Sequence, residues 1–257
     1  MRAPEVRGLG LLTGRPTPGE GASVLTLERP DRPGDRFRRA TRECLLALAA
    51  VDAMLEDGKA TREAIAGERT ALLYVTAAAY GASNRQFIER RGGVVHFAYT
   101  APAVVPAEVA IEFGVTGPYG ILIGGAPATL RAIEQAARLL ETGTCDRALV
   151  LVVEIFEECA DLYTTRRRYH RWPLVETAGC LWLEPGAGDL SFQSSRVVRG
   201  SSRAGGGERF AAAPVADLGE WLGRSANGPL ELSGRWRGEE ARLRWSRVRS
   251  HARDGAA

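Results

Sequence analysis

The chain has 257 residues, enough for one large domain or for one domain with a small appendage. With 45% hydrophobic and 25% charged residues it has an ordinary globular composition, and a formal charge of +3 from 34 basic and 31 acidic side chains is too even to mark a nucleic-acid binder. Residues 1–10 carry Arg2, Glu5 and Arg7 without the apolar core of a secretion signal, and apolar runs such as 148–153 are too short to span a membrane, so a cytoplasmic protein without membrane attachment is expected.

Residues 1–20 are rich in Gly and Pro and read as an extended lead-in. A strand is predicted over 22–27 (ASVLTL), followed by a polar loop over 29–39. From Thr41 the positions of Leu45, Leu48, Ala49, Met54 and Leu55 follow helical spacing, and Gly58 suits the helix end. A helical turn over 63–66 and a buried strand over 70–76 come next. Further helices are predicted over 83–91, opened by Ser83, and over 103–113, with Pro106 in the first turn and Gly114 closing it. A short strand over 119–124 leads to a helix over 128–142, in which Leu130, Ile133, Ala137 and Leu140 share one face. The near-continuous apolar run 145–154 (CDRALVLVVE) has the character of a strand covered on both sides. Residues 181–184 and 190–198 read as two further strands. This alternation predicts an α/β sandwich.

The last sixty residues differ in character. Residues 200–207 form a Ser/Gly-rich linker, 215–222 a short helix presenting Trp221 and Leu222, and 230–236 with 241–245 a β-hairpin. These elements are expected to cover part of the face that a second half-domain would otherwise occupy. The polar residues 247–257 are expected to be disordered.

The segment 117–133 (GPYGILIGGAPATLRAI) joins a Gly-Pro turn, an apolar strand, a Gly-Gly corner and a helix. A strand-to-helix elbow of this kind lifts one side chain into a pocket, often the nucleophile of an enzyme. Here the elbow holds Gly124, Gly125, Ala126 and Pro127, none of which carries a thiol, a hydroxyl or a titratable group.

The run 107–118 (AEVAIEFGVTGP) with this elbow resembles the N-terminal half of β-ketoacyl synthases, in which a Gly-Pro turn and a strand lead to a Thr-Ala-Cys-like elbow. Residues 41–56 with 69–76 are similar to that family's first helix and following strand, and 175–184 (VETAGCLWLE) to its Glu-Gly-Ala-Ala strand. The resemblance extends over about residues 20–185. It implies a thiolase-like layered sandwich, N-terminal half only, over residues 20–199, with a helix–hairpin appendage over 200–246 and extended or disordered ends at 1–19 and 247–257. It also places the family's nucleophilic Cys at Ala126. The family's second half, with its two catalytic His residues, has no counterpart in the sequence.

Both departures point to a non-catalytic, chain-length-factor-like subunit that pairs with a full-length ketosynthase in fatty acid or polyketide-type elongation. The resemblance then implies that the strand bearing Tyr119, Ile121, Leu122 and Ile123 forms the partner interface. It implies that a bulky side chain about thirty residues before the elbow closes the partner's acyl tunnel, with His96, Phe97 and Tyr99 as equal candidates beside the reading of a loop that covers its own core. The basic run Arg166, Arg167, Arg168, Tyr169, His170 and Arg171 reads either as a solvated loop or as a dock for an acyl carrier protein.

Other chemistry is sparse. His96, His170 and His251 have no metal-site spacing, and Gly92–Gly93 and Gly205–Gly207 match no phosphate-cradling pattern, so neither metal nor cofactor is expected. Cys44, Cys145, Cys159 and Cys180 read as reduced, buried thiols. Glu154, Glu157 and Glu158 read as a solvated strand end rather than an acid–base pair. Two rivals remain: an acyltransferase or thioesterase using a Cys or His from elsewhere in the fold, with Cys145, Cys159 and Cys180 as the thiols to test, and a homodimer that binds acyl chains or a regulatory ligand without chemistry.

Overall fold

The computed structural model describes residues 1–15, 24–78, 81–89, 101–159, 174–196, 208–224 and 228–246. Its main sheet contains the strands β1 (Arg2–Thr13), β3 (Thr70–Thr76), β4 (Tyr119–Ile123), β5 (Arg147–Glu154), β7 (Thr177–Arg196), β8 (Leu230–Trp236) and β9 (Glu239–Trp245). Two short strands, β2 (Val24–Leu25) and β6 (Leu174–Val175), pair separately and in parallel. The helices α1 (Arg42–Asp57), α2 (Gly81–Ile88), α3 (Val104–Phe113), α4 (Ala126–Glu141) and α5 (Ala213–Gly223) join them.

The sheet order is β4-β3-β5-β7-β9-β8, with β1 also on β7. β3 lies parallel to β4 and β5, whereas β7 is antiparallel to β5, β1 and β9. β3 and β5 are covered on both faces, which explains their unbroken apolar sequences. On one face Leu72, Tyr74, Leu149, Leu151, Val153 and Trp182 pack with α1 and α3. On the other Leu73, Val75, Val150, Val152, Leu181 and Leu183 pack with α4, α5 and the β8–β9 hairpin. Thr41 caps α1 by accepting the Cys44 N–H at 3.2 Å, and Gly114 ends α3 with φ 67°, in the left-handed region.

Three local readings change. The opening residues are not a lead-in: residues 2–13 are a strand bound along β7, with Ala3 and Val6 in the core. Their glycines serve close packing rather than turns. A Cβ on Gly8 would lie 2.5 Å from the Met54 carbonyl oxygen, and one on Gly10 would lie 2.0 Å from that of Ala50, so α1 crosses β1 at a distance only Gly allows. The two strands expected over 181–184 and 190–198 are halves of one twenty-residue strand, β7. Pro185 and Gly186, which suggest a break, lie where the β1 register shifts between Ala3 and Glu5, so an irregularity accommodates them. The polar loop at 29–39 contains a 3₁₀ turn, Asp35–Arg39.

The C-terminal elements are built onto the same body. The second half of β7 pairs with β9 along 190–196, and the hairpin packs on α4 from the side away from β3 and β5. Helix α4 thereby keeps only the stripe of Arg131, Gln135, Arg138 and Glu141 exposed. Thr129 Oγ1 donates to the Ala211 carbonyl at 2.6 Å, Arg131 pairs with Glu239, and Trp245 Nε1 donates to the Pro4 carbonyl at 3.0 Å. The appendage thus covers part of the α4 surface. Among the described residues, the large apolar side chains left exposed include Ile111 on α3, Phe87 and Ile88 on α2, and Tyr119 and Ile123 on β4. No helix of the described residues is long and apolar enough to cross a membrane.

Candidate functional site

The elbow lies where β4 passes into α4. Gly124 N–H donates to the Thr76 carbonyl at 2.9 Å, tying the corner to the end of β3. Gly125 is the N-cap of α4, and Pro127 sits in the first turn, where a missing N–H costs nothing to the helix. Ala126 is fully buried. Its N–H, the first of the helix and without an intrahelical acceptor, donates to the Arg209 carbonyl at 2.9 Å.

The C-terminal segment closes over this corner. A Cβ on Gly234 of β8 would stand 2.4 Å from the Ala126 Cβ, and one on Gly125 would stand 2.4 Å from the Trp236 ring. Trp236 packs edge-on against Phe210 at 5.1 Å between centroids. Arg209 bridges the pieces: its N–H donates to the Arg235 carbonyl at 2.9 Å, its carbonyl accepts from Ala126, and its guanidinium grips Asp217 of α5 through two bonds of 2.6 and 2.8 Å.

Glu154, at the end of β5, is not a solvated strand end. It is buried, and its carboxylate accepts from the N–H groups of Ala211 at 2.8 Å and Ala212 at 3.0 Å, ahead of α5. Burial pushes its pKa up to about 7, against the pull of hydrogen bonds from the Ala212, Ala211 and Ala77 amides. Glu158 is also buried, whereas Glu157 is exposed. The sequence does not reveal that Glu154 is buried, because its partners lie 57 and 58 residues away. Gly234 and Trp236 were read only as hairpin residues, although a lone Gly inside a strand is a signal for close backbone approach.

Another buried carboxylate, Glu176, pairs with Arg42 and accepts from the N–H groups of Leu27 at 2.7 Å and Phe156 at 2.8 Å. It holds the β2–β6 strap to the start of α1. Its role is structural.

The four thiols are all buried. Burial raises the pKa of Cys145 and of Cys180, and burial together with the surrounding carboxylates Glu154, Glu43, Glu158 and Glu176 raises that of Cys159 well above normal. A thiol reacts as its thiolate, so none of these three is poised as a nucleophile.

Of the residues expected at the partner interface, Tyr119, Ile121, Leu122 and Ile123 all lie on β4, at the end of the sheet. Among the described residues β4 pairs only with β3. Tyr119 is 51% and Ile123 59% exposed, Ile121 packs partly on the α1–α3 side and Leu122 partly on the α4 side. The tunnel-end candidates His96, Phe97 and Tyr99, and the basic residues Arg166, Arg167, Arg168 and Arg171, lie outside the described residues.

A mixed sheet covered on both faces, with a buried strand-to-helix elbow at the end of its edge strand, defines a thiolase-like half-domain of ketosynthase type. The model of the β-ketoacyl synthase N-terminal domain matches residues 30–166, more than half of the sequence, and the chain belongs to that family. Similar solved structures include the ishigamide ketosynthase/chain length factor, with a TM-score of 0.75 at 15% identity over 96% of this chain and 100% of the other. The AntDE:AntF complex, a type II acyl-carrier protein with its ketosynthase bound to the hexaketide, gives 0.71 at 14% identity over 96% and 100%. The ketosynthase ApeO in complex with its chain length factor ApeC, from Xenorhabdus doucetiae, gives 0.64 at 11% identity over 95% and 99%. At these identities the likeness is one of fold. No curated protein matches in sequence.

Proposed function

We propose that this chain is a non-catalytic, chain-length-factor-like subunit that pairs with a full-length ketosynthase. The observation that carries the reading is the contrast between the two ends of 119–126. Among the described residues the free edge of the strand is unpaired, apolar and uncharged, while the elbow it feeds offers no reactive side chain and is buried. An open edge with Tyr119 and Ile123 outward has no Lys, Pro or other charge to discourage pairing, and such an edge invites another strand. In a chain built this way the useful surface is β4, and the elbow supports packing.

The chemistry agrees. An acyl-transfer elbow needs a nucleophile and N–H donors aimed at the developing oxyanion. Here residue 126 is Ala, its N–H is bonded to Arg209, and Pro127 has no N–H. The Cys-based rival is disfavoured by the buried, high-pKa thiols. In this reading the partner supplies catalysis, residues 96–99 bound its acyl tunnel, and the basic residues of 166–171 receive the acidic carrier protein. Residues 20–199 correspond to the ketosynthase half, to which 200–246 add the cover.

Co-expression of a tagged full chain with full-length ketosynthases is the test. The expected result is a one-to-one complex with one of them, active in condensation only through the ketosynthase thiol. A chain that purifies alone as a monomer, or as a homodimer that ignores every ketosynthase, overturns the reading; the homodimer would favour the acyl-binding alternative.

A further inference from the structure

We infer that residues 208–224 and 228–236 form an intramolecular plug that fills the reactant side of the elbow, with Glu154 as the residue that positions it. Loss of a nucleophile alone would leave an elbow with an empty pocket beside it. The structure shows a filled one, and it is filled by complementary shapes. Gly234 passes Ala126 where even a methyl group would collide, the Trp236 ring lies on Gly125 where no Cβ fits, and the Arg209 carbonyl occupies the hydrogen bond of the Ala126 N–H. These contacts come from two separate stretches of the C-terminal segment, around Arg209 and along β8, and converge on two consecutive residues.

The position of the plug is set from beneath. Glu154, buried at the end of β5, accepts from Ala211 and Ala212, the two residues that lead from Arg209 and Phe210 into α5. Thr129 Oγ1 holds the Ala211 carbonyl from the α4 side. The Arg209–Asp217 pair fixes the same stretch to α5. A ligand at the elbow would have to displace this whole arrangement, so this chain binds no acyl group there. The inference stands without the pairing proposed above: a plugged elbow is compatible with any partner or none.

Hydrogen exchange of the full-length chain tests it. The Ala126 amide begins a helix and has no intrahelical acceptor, so in an open elbow it would exchange at nearly the rate of a free peptide. The plug predicts exchange at least hundredfold slower, and Trp236→Ala or Glu154→Ala should restore at least tenfold of that while β3 and β5 stay protected. A second measurement uses Ala126→Cys and iodoacetamide. Labelling should be at least hundredfold slower than in denaturant, and faster again in the double variant with Trp236→Ala. Fast exchange at Ala126 in the unmodified chain, or immediate labelling of a folded Ala126→Cys protein, overturns the plug. If the Cys variant loses protection in β3 and β5, it has unfolded, and the exchange result on the unmodified chain decides.

Discussion

Replacing Ile123 with Lys should abolish pairing with a ketosynthase while leaving the fold intact. Ile123 is 59% exposed at the end of β4, so the substitution removes little that the isolated chain uses. In a paired edge its remaining surface would be buried. Full burial of such a side chain stabilises by about 1.5–3 kcal/mol, so the exposed part is worth about 1–2 kcal/mol. An ammonium placed in that seam without a partner adds a desolvation cost of several kcal/mol, partly relieved because a long Lys reaches toward water. A net loss of about 3 kcal/mol corresponds to more than a hundredfold in Kd. Leu122→Ala is the counterpart. Leu122 packs partly against the α4 side of the core, so this change should lower the unfolding midpoint and leave the affinity of the folded protein within about threefold. Titration calorimetry against the co-purified ketosynthase, with thermal unfolding of each variant alone, measures both. A folded Ile123→Lys chain that binds within threefold of the parent would refute the β4 interface.

Of three further predictions, the first two are independent of that seam. Ala126→Cys should show no condensation activity in the purified chain, because the elbow N–H is engaged by Arg209 and Pro127 has none; turnover of an acyl thioester with a malonyl-type extender would contradict this. The folded state holds the Glu154 proton more tightly than the unfolded chain, so the stability it confers is fully present below about pH 4.5 and is lost as pH rises through about 7. At about 1.4 kcal/mol per pH unit the loss approaches 3 kcal/mol, and Glu154→Gln should flatten this part of the profile in urea unfolding between pH 4.5 and 8; parallel profiles would show that Glu154 is not the titrating group. In the reconstituted complex, Ala at His96 or Phe97 should lengthen the products by one or two extensions with little change in rate, since each methylene gains about 0.8 kcal/mol of burial once a wall is removed; an unchanged product distribution from an intact complex would remove the tunnel-end role.

The sequence by itself determined the elements whose pattern is local. The unbroken apolar runs of β3 and β5 announced strands buried on both faces, the spacing in α1 and α4 announced helices, and the alternation at 230–236 announced a hairpin. It also determined the elbow, whose residues Gly124, Gly125, Ala126 and Pro127 carry no thiol or hydroxyl, because a Gly-Pro turn, a short strand and a Gly-Gly corner are readable in order along 117–127. Tertiary structure decided what lies against that elbow. Gly8 and Gly10 look like turn residues until α1 is seen crossing them, Glu154 looks like a solvated strand end until Ala211 and Ala212 turn their amides onto it, and Gly234 looks like a weak point in a strand until Ala126 is found beneath it. Each depends on a contact between segments dozens of residues apart. A glycine tolerates close approach and a carboxylate accepts amides, but neither names its partner, and only the folded backbone brings the two together.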